Sequence, residues 1–314
     1  MNDAGFEIPD KVRRTALALG ADGLVWLAGL GRLVAELERK WDLSVGRTFA
    51  TSTEAFVAEA LTTDGRQAVL KIPITGIDPS LREQRTLLAA NGRGYVKVLR
   101  HDPAKGVMLL ERLGPQLHQF GLSLDVQIEI ICATLQDAWT ALPKGLQLMS
   151  GAQKASGLAA FIETAWRELG RPCSQPAIGK ALSFAEMRRQ AFDPRSAVLA
   201  HGDAHAWNTL LVPGAGPQRF KFVDPDGLFI ERAYDLAISM REWPSELLKG
   251  DPLELGRRRC HQLALLSGVE PGPIWQWGFI ESLSNGLLLK QKGLNRLANE
   301  FLSVVEAWTS GDLQ

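Results

Sequence analysis

Residues 198–226, VLAHGDAHAWNTLLVPGAGPQRFKFVDPD, constrain the fold of this chain most. Residues 209–212 are β-branched and aliphatic, residues 220–223 read FKFV, and the Pro213-Gly214-Ala215-Gly216-Pro217 cluster lies between them. Two short apolar runs joined by a Gly/Pro loop predict an antiparallel hairpin. A hairpin brings the start of its first strand beside the end of its second. Asn208 precedes the first strand and Asp224 follows the second, so the two should meet although 16 positions separate them. An amide oxygen beside a carboxylate makes a hard-oxygen site suited to Mg²⁺, completed by water and substrate phosphates. Asp203, five positions before Asn208, is placed to take a hydroxyl proton as a base. Asp226 reads as a turn residue of the Asp224-Pro225-Asp226-Gly227 segment.

A carboxylate base, an Asn and a metal-binding Asp, in that order, are the parts of a kinase catalytic centre. Protein kinases write them H-R-D-x-x-x-x-N and then D-F-G. Here the stretch is His201-Gly202-Asp203-Ala204-His205-Ala206-Trp207-Asn208, with the same Asp-to-Asn spacing, then Asp224. HGDAHAWN with VDPDG and the later IERAYDLA resembles the aminoglycoside phosphotransferase family. With VLKI, the D-P-D segment and the long N-terminal extension, the chain more narrowly resembles that family's streptomycin 6-kinase and hydroxyurea kinase branch. The resemblance implies an α+β, bilobal protein-kinase-like fold: a small antiparallel-sheet N-lobe and a mainly helical C-lobe. It implies ATP and Mg²⁺ as cofactors. An Asp matching Asp235 orders the catalytic segment in that family.

The competing reading is a metal hydrolase, because His201-x-Asp203-x-His205 is a metal-site pattern. It needs further ligands, and His101, His118 and His261 stand in no such spacing. His201 is expected to hold the catalytic-loop backbone by hydrogen bonds.

The organisation expected is an N-terminal helical extension at 1–42, a nucleotide-binding lobe at 43–113 and a helical lobe at 114–314 carrying the catalytic loop and acceptor site. Two helical segments precede residue 42. Short alternating runs follow, with a Thr63-Asp64-Gly65-Arg66 hairpin signal. Residues 68–72, AVLKI, form an apolar strand interrupted by Lys71. A lysine there is costly to bury without a partner. It resembles the kinase V-A-I-K lysine, which reaches the nucleotide phosphates; the alternative is an edge-strand lysine that keeps a sheet soluble. Glu83, on a helix opened by Asp78-Pro79-Ser80 and ended by Asn91-Gly92, is the carboxylate that can pair with Lys71; its alternative role is a first-turn acid favoured by the helix dipole. The loop FATSTEAF at 49–56 lacks the glycines of a kinase phosphate loop, leaving backbone amides and the Ser52 and Thr53 hydroxyls as phosphate donors. The strand at 107–111 runs into Glu111-Arg112-Leu113-Gly114-Pro115; in the family this segment is the hinge, so the resemblance makes backbone groups of Glu111 and Leu113 candidates for the adenine.

Beyond residue 125 the pattern is helical. Residues 143–157 read as a linker, and Arg257, Arg258 and Arg259 as a solvated helix face. There are 35 basic and 35 acidic residues, so no nucleic-acid-binding surface is expected. Cys132, Cys173 and Cys260 are few, odd and scattered, which points to a reducing cytoplasm. The N-terminus reads as no signal peptide, and the apolar stretch at 23–35 is too short for a bilayer, so no membrane partner is expected.

The function expected is transfer of the ATP γ-phosphate to a hydroxyl of a small molecule, an aminoglycoside such as streptomycin by resemblance. A polycation asks for an acidic pocket. Asp203, Glu231, Glu242, Glu246, Asp251 and Glu281 are its candidates, with Trp243, Trp275 and Trp277 as walls. Two other readings stand: a kinase of the same fold acting on hydroxyurea or a metabolic amino alcohol or sugar, and a non-catalytic nucleotide-binding module, which the glycine-free loop would suit.

Overall fold

The structure is a computed structural model and describes residues 6–50, 52–74, 79–141, 145–214 and 219–313. The chain divides into two compact units, Met1–Gly114 and Pro115–Gln314.

In the first unit, α1 (Asp10–Ala18) and α2 (Ala21–Trp41) precede β1 (Leu43–Thr48), β2 (Ala55–Thr62), β3 (Gln67–Pro73), α3 (Pro79–Ala90), β4 (Val98–Asp102) and β5 (Val107–Glu111). The strands form an antiparallel sheet in the order β1-β2-β3-β5-β4. In α2, Leu30, Val34, Leu37 and Trp41 are buried at three- and four-residue spacing, a single apolar face. That face packs on Ala58, Ala60, Ala68, Leu70 and Ile72, the inward residues of β2 and β3. Strand side chains alternate, so Lys71 points to the opposite face from Leu70 and Ile72. The N-terminal helices are therefore part of this unit's core. The β2–β3 turn has Gly65 at φ 80°, as the Asp-Gly signal predicts. Asn91 and Gly92, at φ 47° and 82°, follow the end of α3, while the expected cap Asp78 lies outside the described residues.

The second unit holds α4 (Leu124–Ala138), β6 (Met149–Ser150), α5 (Gly151–Glu168), α6 (Gln175–Gln190), β7 (Val198–Ala200), β8 (Thr209–Leu211), β9 (Phe220–Phe222) and β10 (Leu228–Ile230). It continues with α7 (Arg232–Arg241), α8 (Pro244–Leu247), α9 (Pro252–Ser267), α10 (Pro271–Gln291) and α11 (Asn295–Thr309). β6, β10 and β7 make a small sheet in that order, and β8–β9 is a separate hairpin. Helix α10 is buried on nearly every side, its core including Trp275, Trp277, Phe279 and Leu283. Among the described residues, no helix is long and apolar enough to cross a membrane.

Three expectations are corrected here. Residues 151–157 are not linker but the start of α5. Ser150 caps it, its Oγ accepting from Gln153 N at 3.3 Å while Gln153 Oε1 accepts from Ser150 N at 2.9 Å. Gly151 is there for close approach: a Cβ would sit 2.9 Å from both Ile230 and Phe192 side-chain atoms. Arg259 is not solvated; it is 5% exposed, and its Nη1 donates to the carbonyls of Met240 (3.2 Å) and Glu242 (2.6 Å). It thus serves the carbonyls at the C-terminal end of α7. Trp275 and Trp277, at 2% and 0% exposure, are core side chains rather than pocket walls.

Candidate active site

In the first unit Lys71 sits on β3, the middle strand of five, paired with Val57 on one side and Met108 on the other. The edge-strand alternative therefore does not hold. Its Nζ lies 2.7 Å from Glu83 Oε1, with side-chain exposures of 13% and 9%. A buried ammonium and a buried carboxylate hold each other's charge, which neither could carry alone there. The Ser52 hydroxyl donates to Ala55 O within its own loop at 2.5 Å, whereas Thr53 is exposed. Glu111 N–H donates to Lys97 O at 2.9 Å, so that amide is engaged in the sheet region. Leu113 is buried just past the strand end.

In the second unit the β8–β9 register is Thr209↔Phe222, Leu210↔Lys221 and Leu211↔Phe220. Val223 N–H then donates to Asn208 O at 2.9 Å, which sets Asn208 at the hairpin mouth immediately beside the residue before Asp224. Asp224 is exposed and has φ 55°. Asn208 Nδ2 donates to the Asp203 carbonyl at 3.1 Å, so Oδ1 is the amide atom suited to a cation. An Asn oxygen and an exposed carboxylate at one hairpin mouth fit Mg²⁺, which takes few protein oxygens and keeps its remaining positions for water and phosphate. Among the described residues, no group of three or more His, Cys, Asp or Glu could hold a metal ion.

The loop between β7 and β8 is held from three sides. His201 is fully buried; its Nδ1 accepts from Asp203 N at 3.1 Å, so Nε2 carries the proton and donates to Val223 O at 2.9 Å. Burial pushes the His201 pKa down, against the neighbouring Asp235 and Asp203. Asp235, on α7 and also fully buried, accepts from Trp139 Nε1 (2.9 Å), His201 N (3.1 Å) and Gly202 N (2.8 Å). Burial pushes this carboxyl's pKa up, opposed by His201 and by those donors. Gly202 has φ 89°, and a Cβ on it would lie 2.7 Å from Asp226 Cβ, so the H-G-D glycine is required twice over. On the outer side Gln116 Nε2 donates to Trp207 O at 2.7 Å, and the exposed Trp207 ring stacks on His118 with centroids 3.5 Å apart.

Asp203 is held by both oxygens. Arg241 Nη2 donates to Oδ1, and His205 Nε2 lies 3.1 Å from Oδ2. Burial alone would raise the Asp203 pKa; the hydrogen bond from His205 and the charge of Arg241 outweigh it and keep the carboxyl below the ordinary range. An ionised carboxylate is the form a hydroxyl can donate to.

The carboxylates expected to line an acidic pocket have partners inside the protein. Glu281 is 3% exposed and accepts from Tyr234 Oη and from Arg241 Nη1 (2.8 Å). Glu242 lies 3.6 Å from Arg241 Nε. Glu231 accepts from Trp277 Nε1 at 2.8 Å and pairs with Arg188 at 3.1 Å. Glu246 pairs with Lys249 at 2.7 Å, and Asp251 caps α9. Arg241 is the functional candidate that sequence reasoning missed: it stands 17 positions after Asp224, at the end of a helix, where an arginine has no distinguishing pattern.

Comparison with known proteins bears on the family and the fold. The family profile described as "Aminoglycoside/hydroxyurea antibiotic resistance kinase" matches residues 40–291. A streptomycin 6-kinase of Streptomyces glaucescens is 28% identical over 285 residues, covering 90% of each chain. A hydroxyurea phosphotransferase of Kitasatospora aureofaciens is 31% identical over 220 residues, covering 66% of this chain and 61% of its own. Among solved structures, choline kinase LicA from Streptococcus pneumoniae superposes with TM-score 0.60 at 15% identity, covering 89% of this chain and 98% of its own. Macrolide 2'-phosphotransferase type I gives 0.57 at 17%, covering 91% of this chain and 98% of its own. The fold is thus the α+β kinase-like fold.

Proposed function

The chain belongs to the aminoglycoside/hydroxyurea antibiotic resistance kinase family, and from that premise we propose that it transfers the γ-phosphoryl group of ATP to a hydroxyl of a streptomycin-type aminoglycoside. The observation that carries the reading is the pinned Asp203 carboxylate, followed by a hairpin whose mouth holds Asn208 beside the residue preceding Asp224. Asp203 accepts, or orients, the proton of the attacking hydroxyl. The hydroxyl oxygen forms the new bond to the γ-phosphorus, the bond to the bridging oxygen breaks, and ADP leaves with that electron pair. Asn208 and Asp224 would hold Mg²⁺, which supplies charge neutralisation to the phosphates when bound. Lys71, aimed by Glu83, binds the nucleotide phosphates. Positioning and charge carry the reaction, since phosphoryl transfer leaves little covalent work to the protein. The acceptor class rests on the streptomycin 6-kinases among the relatives. The reading takes the activity to be cytoplasmic, where ATP is at hand.

Hydroxyurea is the second reading, favoured by the hydroxyurea phosphotransferase match. The internally paired carboxylates favour it too, because an uncharged acceptor does not need them. Incubation with Mg-ATP and either compound, followed by mass spectrometry of the product, separates the two. A phosphoryl gain on streptomycin supports the proposal; a gain on hydroxyurea alone replaces it.

A further inference from the structure

We propose that Arg241 is a positioning residue for Asp203: a resident guanidinium, clamped from behind by Glu281 and Tyr234, that fixes the direction in which the Asp203 carboxylate meets the acceptor hydroxyl. The inference rests on the phosphotransferase reading above.

Arg241 is the last residue of α7, and its side chain is 15% exposed. Its two terminal nitrogens are divided between two carboxylates on different elements: Nη2 serves Asp203 Oδ1, and Nη1 serves Glu281 Oε2 on α10 at 2.8 Å. Nε, 3.6 Å from Glu242, lies beyond hydrogen-bond reach of it. Glu281 cannot turn away, because Tyr234 Oη donates to its other oxygen and both residues are buried. Tyr234 is packed in turn edge-on against Trp277, with centroids 5.0 Å apart. A continuous chain, Trp277–Tyr234–Glu281–Arg241–Asp203, therefore runs from the helical core to the catalytic loop.

This chain removes Asp203's rotational freedom. His205 takes Oδ2 and Arg241 takes Oδ1, so the carboxylate plane is set; Asn208 Nδ2 also lies 3.5 Å from Oδ2, which leaves the further lone pair of Oδ1 for a hydroxyl. A planar fork can bridge two carboxylates at fixed angles; a lysine ammonium can satisfy the charge without fixing the plane. Arg241 also supplies the cation that Asp203 would otherwise draw from a cationic acceptor, so the acceptor presents a neutral hydroxyl to Asp203 and its charges elsewhere.

A helix-to-helix stitch with no catalytic consequence is the competing role, and the test is chosen to tell the two apart. Arg241→Ala and Arg241→Lys are assayed with Mg-ATP and streptomycin beside the wild type. The expected result for Arg241→Ala is a fall in kcat of about 100-fold or more, with the KM for Mg-ATP unchanged within about twofold. Methylguanidinium at about 10 mM, seated between the vacated carboxylates, should restore kcat by about tenfold. Arg241→Lys should keep the wild-type thermal midpoint and still lose about tenfold in kcat. The proposal is overturned by folded variants with kcat within about threefold of wild type, or by a loss that methylguanidinium leaves untouched. If Arg241→Ala does not fold, Arg241→Lys and Glu281→Gln carry the same comparison, and unchanged kcat in both overturns it. Should the wild type bind Mg-ATP but phosphorylate no acceptor, it is the phosphotransferase reading that fails. The clamp is then judged by thermal shift alone: methylguanidinium, but not tetramethylammonium, should raise the midpoint of Arg241→Ala and leave the wild type unmoved, and no such difference overturns it.

Discussion

Replacing Asp235 by alanine takes the acceptor away from three donors at once: Trp139 Nε1–H, His201 N–H and Gly202 N–H. All three point at a fully buried carboxylate. A buried donor left without a partner costs roughly 1–3 kcal/mol. Three of them sum to about 3–9 kcal/mol, and partial relaxation into the vacated space brings the expectation to about 3–6 kcal/mol. That is a large share of the roughly 5–15 kcal/mol by which a domain is stable. Asp235→Asn keeps one acceptor oxygen but turns an NH₂ towards the remaining donor, so its cost should be smaller, about 2–3 kcal/mol. Urea unfolding followed by tryptophan fluorescence reads the right part of the chain. Trp26 and Trp41 are in the first unit, and the other seven of the nine tryptophans are in the second. The order expected is wild type, then Asn, then Ala. Because the NH₂ then faces the Gly202 N–H of the H-G-D segment, kcat should fall in Asp235→Asn by about 100-fold even where the protein is folded, the scale expected for about 1 Å of misplacement. Unchanged urea midpoints with normal turnover in both variants would refute the idea that Asp235 organises the loop.

Three further outcomes are expected. Lys71→Met should destabilise the first unit by about 3–5 kcal/mol, since it removes the ammonium 2.7 Å from the buried Glu83 carboxylate; adding Glu83→Leu should recover the urea midpoint but not nucleotide affinity. Gly202→Ala should abolish activity and lower the thermal midpoint, because the residue sits at φ 89° with Asp226 Cβ 2.7 Å from the new methyl; an active Ala variant would contradict that geometry. Burial pushes the thiols of Cys132, Cys173 and Cys260 up to about 12 from the ordinary 9.0. They should resist a thiol reagent at pH 8 in the native protein and react fully in urea. Because the unfolded chain ionises first, their contribution to stability is present below pH 9 and is lost as pH rises from 9 towards about 12.

Much of this architecture was legible in the residues. The hairpin around Asn208 and Asp224 follows from two apolar runs and a Gly/Pro loop, and Lys71 announces a partner by interrupting an apolar strand. The partner, Glu83, was legible as the acid on the next helix; α3 has no acid in its first turn, so the helix-dipole alternative for Glu83 does not hold. What stayed hidden depends on pairings over long sequence separations. β6 and β10 are two and three residues long, too short to show a period, and exist because they pair in a sheet with β7. Gly151 read as part of a linker, but its role is to let Ile230 and Phe192 come close. Arg259 and Arg241 look like surface arginines in one dimension. Only the folded chain puts the first against carbonyls near the end of α7 and the second between Asp203 and Glu281. The same blindness made Glu231, Glu242 and Glu281 look available to a cationic acceptor, when each has a cation or donor of its own.

The central claim is that Asp203 handles the acceptor proton in a phosphoryl transfer. Its most direct test follows ADP release from Mg-ATP, with and without streptomycin, for the wild type and for Asp203→Asn, alongside nucleotide binding by both. The account predicts streptomycin-dependent release by the wild type, a loss of about 100- to 10,000-fold in Asp203→Asn, and equal nucleotide affinity in the two proteins. Streptomycin-dependent release that survives in Asp203→Asn at near-normal turnover would contradict it.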